Sequence, residues 1–467
     1  MRRVVALVIV AAVVLSTASS ARAGDAPPEV PAGRRVLVFA VPGLTWEDVN
    51  TRDLPNLRRL LDGSAVANVA LRVERLATEA GEGYATIGAG TRAIAGRGEA
   101  GLSYDGVERF GLGRAADEYA RQNGHPLDGE IASLAWNELV RANEGAEFGG
   151  TLGTLGDALA AASVGRGVVA NADDDDPFTA QDTLHREAAL TLVDSNGVVP
   201  CGNVSRGLVR RDPDAPFGVR FDDGAVVRAY DRCSTPSSVV LVEASDVRRA
   251  ALYAERVTGA RAAALRSDAL RRADRLLARL MARFDPQRDA VVILAPQVIG
   301  VPRLTVLGIH ADEYPPGLLV SGTTRRAGFV TIADLTPTIA ALAGAPIDQG
   351  GIEGRRVEPA RRGGDAGERR AFLENADAAA RFRDRMLTPV AAIFITCVCL
   401  LAIGAALALW RDRVRSRWFE LASLVLLAFP PMTYLAALLP FYDWGAAAYA
   451  GFLVGGAVAT GLAFSAL

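Results

Sequence analysis

Between Arg34 and Pro346 short β-branched and aliphatic runs alternate with segments rich in Ala, Leu and Arg, and no other feature constrains the fold as strongly. The apolar runs predict strands at Val36 to Phe39, Gly167 to Ala170, Val239 to Glu243, Val291 to Leu294 and Gly317 to Val320. Helical patterning separates them at Leu54 to Leu61, Leu155 to Ala162, about Ala262 to Phe284, and Ile332 to Ala343. Continuous apolar strands suit a sheet covered on both faces, and alternation with helices implies crossover connections, so the pattern predicts an α/β fold with a mainly parallel sheet. Two stretches interrupt it, the Gly-rich Glu99 to Gly150 and the Asp/Arg-rich Cys201 to Cys233, and both read as insertions over the sheet edge.

The pattern ends abruptly. After a charged, Gly-rich linker over 347–386, three apolar runs follow at 387–410, 418–439 and 444–467, each about as long as the ~20 residues that span a bilayer. At the other end, Met1-Arg2-Arg3, the apolar run Val4 to Leu15 and Ala21-Arg22-Ala23 have the parts of a secretory signal cleaved after Ala23, with an uncleaved anchor as the alternative. Arg411, Arg413, Arg415 and Arg417 crowd the loop after the first run, and this loop is expected in the cytoplasm with residues 24–386 outside. Arg381, Arg383 and Arg385 flank the same run on its other side, so the signal carries more of this reading than the charge bias does. The chain stops at Leu467 within apolar sequence, and a longer protein with further spans is one expectation.

A net charge of −2 with interspersed signs leaves no electrostatic footprint for nucleic acid. The chain has no Lys, so its 51 basic side chains are all Arg and lysine chemistry is excluded. Cys201 and Cys233 lie in the exported part and are expected to pair there, two free thiols being the alternative; Cys397 and Cys399 fall in an apolar run and read as buried small hydrophobes.

Two blocks resemble the alkaline phosphatase-like superfamily. One runs from Val36-Leu37-Val38-Phe39 through Pro42-Gly43-Leu44 to Leu54-Pro55-Asn56-Leu57 and the segment Thr78 to Thr91. The other is Pro316 to Ser321 followed by Ala333-Asp334-Leu335-Thr336-Pro337-Thr338, which is similar to the superfamily's Asp-x-x-Pro-Thr helix. The resemblance implies a three-layer sandwich with a mainly parallel sheet over 34–346, here followed by three transmembrane helices.

The same resemblance implies a metal site that this chain lacks in sequence. An Asp normally follows the first strand and an Asp-His pair a later one; Val41-Pro42 and Pro296-Gln297 stand there instead. Val and Pro cannot hold divalent metals. Thr78 matches the position of the nucleophile that opens a helix in active members, or else caps that helix with Glu82 in its first turn. Asp246 resembles the Asp of an Asp-x-x-x-His metal motif whose His position is Ala250, and it too can cap a helix. His310 lies where active members often place a last imidazole ligand, with a loop histidine as the alternative. His125 and His185 lie in segments without metal-motif resemblance, and Asp173 to Asp176 read as a solvated acidic turn, with a four-carboxylate loop that attracts calcium as the alternative. The sequon Asn203-Val204-Ser205 is assigned no function.

Thr78, Asp246 and His310 are too few for two-metal hydrolysis. The leading expectation is a membrane-anchored, exported domain without metal-dependent catalysis or a cofactor, serving as a cell-envelope binding or assembly component. Its expected partners are the lipid bilayer and other envelope proteins or glycolipid. One alternative is an active, divalent-metal-dependent phospho- or sulfotransferase or hydrolase acting on envelope lipids or glycans, an architecture similar to the ethanolamine phosphate transferases. Another is a piece of a larger transporter-like protein.

Overall fold

The computed structural model describes residues 31–466 except 32, 72, 74–77, 175–183, 362 and 411–416. The signal or anchor over 1–23, Asp175, Asp176 and most of the Arg411 to Arg417 loop lie outside the described residues.

A ten-stranded sheet organises the polar part of the chain. Its strands, in chain order, are β1 (Arg35–Ala40), β2 (Ala65–Ala70), β3 (Gly165–Val169), β4 (Cys201–Asn203), β5 (Ser238–Glu243), β6 (Ala290–Leu294), β7 (Thr305–His310), β8 (Gly317–Ser321), β9 (Phe329–Thr331) and β10 (Val357–Pro359). In space they run β10-β8-β9-β2-β7-β6-β1-β5-β3-β4. All neighbours are parallel except that β7 opposes β6 and β2, and β10 opposes β8. The five strands legible in the sequence are all present. Unforeseen are β2, β7, β9 and β10 and the edge strand β4, which belongs to the sheet although its stretch was read as an insertion.

Alternation along β1 shows why these segments pair. Val36, Val38 and Ala40 face one core, while Leu37 and Phe39 face another. The first core is closed by α3 (Ala80–Ala89), α4 (Thr154–Ala161) and α8 (Leu335–Leu342); the second by α2 (Pro55–Asp62), α5 (Asp223–Cys233), α6 (Ser245–Tyr253) and α7 (Gly259–Met281). The result is a three-layer α/β sandwich. Between β1 and α2 lies the short α1 (Trp46–Thr51), opened by a capping box between Thr45 and Asp48.

The segment read as a linker is part of this body. It supplies β10 and the first half of α9 (Ala366–Trp410), a 45-residue helix about 67 Å long at 1.5 Å per residue. Leu373 of α9 is fully buried in the second core. Asp377 is buried as well, and accepts from Arg303 at 2.7 Å and from the Leu304 amide at 2.8 Å. Ionic and apolar contacts on one face of the helix hold it to the sheet, so the charged composition marks a docked helix rather than a free tether. The second half of α9, with α10 (Arg417–Ala436) and α11 (Phe441–Ser465), gives three helices long and apolar enough to cross a membrane. Cys397 and Cys399 are exposed on α9, contrary to the buried placement expected of them. Cys201 and Cys233 form a disulfide, with Sγ atoms 2.04 Å apart, that joins β4 to the last turn of α5.

Candidate functional site

Parallel strands bring their carboxyl ends to one edge, which is where open α/β sheets place their clefts. Here β1, β5 and β6 lie side by side, and the segments that follow them are tied together by main-chain bonds. Val41 N donates to Leu294 O at 2.8 Å, Gly43 N to Gln297 O at 3.1 Å, and Ala244 N to Ala40 O at 2.8 Å. Val41-Pro42 and Pro296-Gln297 therefore converge, as the superfamily resemblance implies. Val41 is fully buried in the second core, so apolar packing fills a position where that resemblance expects a metal ligand.

Helix α3 starts against this edge and is held close by missing side chains. A Cβ on Gly83 would sit 2.0 Å from the Pro296 carbonyl oxygen, and one on Gly88 would sit 2.3 Å from that of Leu190. Thr78 does not cap α3, since its hydroxyl donates to the Leu71 carbonyl. The N-cap is Glu79, whose amide donates to Glu82 at 3.0 Å in a capping box.

Asp246 neither caps α6, whose N-cap is Ala244, nor points into open space. One of its oxygens accepts from the Phe221 amide at 3.0 Å and from Arg249 at 2.7 Å, and the other accepts from Arg272 at 3.0 Å. Arg249 is completely buried and also donates to the Asn171 side chain and to the Asp173 carbonyl, both at 3.1 Å. Beyond β3, Asp173 accepts from Arg186 at 2.7 Å, and Arg186 reaches on to Glu108 at 2.6 Å. Asp173 and Asp174 are each 5 % exposed, so the described half of the acidic run is a buried ionic network rather than a solvated turn. Burial disfavours the Arg186 charge, but Asp173 and Glu108 outweigh it and hold the guanidinium well above its ordinary pKa. Two carboxylates that follow neighbouring parallel strands are thus neutralised by guanidinium groups.

His310 lies at the far end of the sheet. It pairs with Val291 at the start of β6, donates to or accepts from nothing near the carboxyl edge, and sets its Nδ1 3.0 Å from the Gly63 carbonyl. Because β7 runs against its neighbours, its carboxyl end falls at their amino end, and His310 cannot join a site with Asp246.

A cleft of about 450 Å³ opens at the carboxyl edge between α3, α6 and the Val298 to Gly300 loop. His185, Asp174, Glu187 and Arg248 line one wall. The His185 ring nitrogens are 3.3 Å from Glu187 and 3.6 Å from Asp174, and Arg248 lies 3.9 Å from Glu187. Burial works against a charged imidazole, but the two carboxylates more than offset it and raise His185 to about 9. Glu187 feels burial first and then the opposing His185 and Arg248 charges, which leave it lowered. Behind this wall, the buried Glu243 accepts from Tyr84 at 2.5 Å and from Ser245. Desolvation raises Glu243, since the Ser245 and Tyr84 hydrogen bonds do not compensate for complete burial.

The donors present do not fit a divalent ion well. Asp173 and Asp246 already hold cations, a protonated His185 offers no lone pair, and no group of three His, Cys, Asp or Glu with ligating geometry occurs among the described residues. Gln297, in place of an imidazole, is 1 % exposed, and neither atom of its side-chain amide has a partner among the described residues. Sequence reasoning passed over His185, Glu187 and Glu243. A usable signal was the carboxylate ending the otherwise apolar β5, because a charge at the carboxyl end of a central strand lies where clefts form.

No protein-family model matches the chain, and no curated protein matches it. Among solved structures it is similar to the PH0037 protein of Pyrococcus horikoshii, at 12 % identity over 68 % of this chain and 99 % of that one, with a TM-score of 0.39. It is also similar to the lipoteichoic acid synthase LtaP of Listeria monocytogenes, at 10 % identity over 68 % and 73 % of the two chains, with a TM-score of 0.38. A third is the alkaline phosphatase of the Antarctic bacterium TAB5, at 8 % identity over 68 % and 100 %, with a TM-score of 0.40. The likeness among solved structures is to members of the alkaline phosphatase superfamily, and it is a likeness of fold.

Proposed function

We propose that this chain is a membrane-anchored, extracytoplasmic alkaline phosphatase-like domain without metal-dependent catalysis, acting as a binding or assembly component of a cell envelope. The observation that carries this reading is the state of the edge carboxylates. Asp246 and Asp173 are each held by buried guanidinium groups, at 2.7 Å in both cases, so the positions that could have supplied metal ligands serve the internal cohesion of the domain. A metal ion needs donor lone pairs, and on these carboxylates guanidinium groups of Arg249, Arg272 and Arg186 already occupy several of the acceptor sites.

In this reading the three apolar helices anchor the domain, which stands outside the cell, and the Arg411 to Arg417 loop lies in the cytoplasm. Labelling of single introduced cysteines on intact cells tests the sidedness; reactivity of a cysteine in that loop from outside would reverse it. The catalytic part is tested by metal analysis of the purified full chain with assays on phosphate mono- and diesters and sulfate esters. Substoichiometric zinc, manganese and magnesium with no metal-dependent turnover is expected. An ion bound in each chain, with hydrolysis abolished by Thr78→Ala, would replace this reading with a metal-dependent transferase or hydrolase.

A further inference from the structure

Helix α9 grips the rest of the domain through a polar stripe. Arg370, Glu374, Asp377 and Arg381 follow one another at spacings of four, three and four residues, which puts them on a single face. Arg370 donates to the Asn50 side chain at 2.9 Å and Asn50 donates to Glu374 at 2.6 Å, so the stripe holds α1. Asp377 accepts from Arg303 at 2.7 Å, from the Leu304 amide at 2.8 Å and from Arg381 at 3.1 Å, so it also holds the end of the loop between β6 and β7. Arg303 joins the two by reaching Glu47 of α1 at 3.3 Å.

That loop is fastened at both ends. Its start is fixed to the sheet, where the Gln297 carbonyl accepts from the Gly43 amide at 3.1 Å and the Pro296 carbonyl lies against Gly83. Its end is fixed to α9. Between the two, Val298, Ile299 and Gly300 form one side of the cleft, and Val301 is 69 % exposed. Ile299 packs onto Gly43, which has a φ of +67° and no side chain to hold it off; a Cβ there would stand 2.5 Å from Ile299 Cδ1. Apolar contacts slide at little cost, but charge-assisted hydrogen bonds to a buried carboxylate hold only within a narrow range of distance and angle. A displacement of Asp377 is therefore passed to residues 298–300.

The other end of the helix is apolar. Leu387 to Trp410 comprises 24 residues, about 36 Å of helix, against a hydrocarbon core of about 30 Å. A span longer than the core tilts, and its tilt depends on bilayer thickness. Pro389 lacks the N–H that would bond the Arg385 carbonyl, so part of any tilt is taken up as a bend there. The remainder reaches Asp377, twelve residues earlier in the same helix.

We propose that α9 couples bilayer thickness to the cleft: tilt in a thin bilayer loosens the Asp377 contacts and frees the Val298 to Gly300 side, whereas an upright helix in a thick bilayer holds that side in place. The proposal rests on the reading of the chain as membrane-anchored, and it concerns how the cleft is regulated, whatever the cleft binds.

The test is hydrogen–deuterium exchange on the full chain in nanodiscs of dimyristoleoyl- or dierucoyl-phosphatidylcholine, a thin and a thick bilayer with the same head group. Amides of residues 298–304 should exchange roughly fivefold faster in the thin bilayer. Those of β1, β5 and the 285–289 loop before β6 should exchange alike in both. Asp377→Ala should leave 298–304 fast in either bilayer and so remove the dependence. Pro389→Ala, which restores the bond to Arg385 and stiffens the junction, should enlarge the dependence, and it serves if Asp377→Ala does not fold. Equal exchange of 298–304 in the two bilayers overturns the proposal, as does a change spread over the whole sheet, a dependence that survives Asp377→Ala, or one that Pro389→Ala abolishes. Size-exclusion chromatography of the nanodiscs separates the two readings. Incorporation of the chain without thickness dependence removes the coupling alone, whereas failure to incorporate removes the membrane-anchored reading with it.

Discussion

The guanidinium of Arg249 donates to the carboxylate of Asp246 at 2.7 Å, one turn away on α6, with both side chains buried. Removal of the carboxylate would leave Arg249 without its ionic partner and Arg272 without an acceptor. Asp246→Ala is therefore expected to cost roughly 3–5 kcal/mol of unfolding free energy, the range for breaking a buried pair. Denaturant melts with and without zinc or magnesium check this. Equal losses in both conditions are expected, whereas a loss under 1 kcal/mol together with a metal-dependent stabilisation of the native chain only would identify Asp246 as a ligand.

His185 makes stability pH-dependent. Its imidazole stands near 6.5 when unfolded and at about 9 when folded between Asp174 and Glu187, so the folded state binds the proton more tightly. The stabilisation is complete below about pH 6.5 and is lost as pH rises through 9, and at ~1.4 kcal/mol per unit it amounts to a few kcal/mol. Thermal melts from pH 6 to 10 should show this decline in the native chain, and His185→Gln should flatten it. An unchanged slope in the variant would assign the titration elsewhere.

Asp377 ties α9 to the sheet. Arg303, Arg381 and the Leu304 amide all converge on it, at 2.7, 3.1 and 2.8 Å. Asp377→Ala should release the Val298 to Leu304 loop, seen as faster amide exchange there while exchange in β1 and β5 stays slow. Uniform acceleration across the sheet would show that Asp377 supports global stability instead.

The Cys201–Cys233 bridge closes a loop of 32 residues at the outer edge of the sheet. By chain-entropy estimates its loss costs roughly 3–4 kcal/mol, so Cys233→Ser should lower the denaturation midpoint accordingly. Non-reducing peptide mass spectrometry should recover the linked pair from the native chain, and free thiols at both positions would refute the pairing.

What could be read from residue order alone is what local pattern controls. Apolar runs such as Val36 to Phe39 and Val291 to Leu294 identify buried parallel strands because every position of such a strand is covered, and the apolar runs after Leu387 identify helices suited to a bilayer because length and hydropathy suffice. The departure from the superfamily's ligand pattern at Val41-Pro42 and Pro296-Gln297 was equally legible, since Val and Pro side chains carry no donor atom in any conformation. The short strands β4, β9 and β10 escaped because three residues carry too little periodicity, and β7 because Gly308 and Thr305 interrupt its apolar run.

Tertiary structure decided the rest, because the partners involved are distant in sequence. Nothing near His310 indicates that β7 is reversed, yet that reversal alone carries it to the opposite edge from Asp246. Arg186 and Asp173 lie 13 residues apart in the segment that follows β3, and only the packing of the 99–150 insertion against that segment makes them a buried cluster with Glu108. Gly83 is one of three glycines in α3 until the Pro296 carbonyl arrives where its Cβ would be. Composition marks where charge is present, but whether a carboxylate meets a metal, a guanidinium or an open cleft depends on which strand end lies beside it.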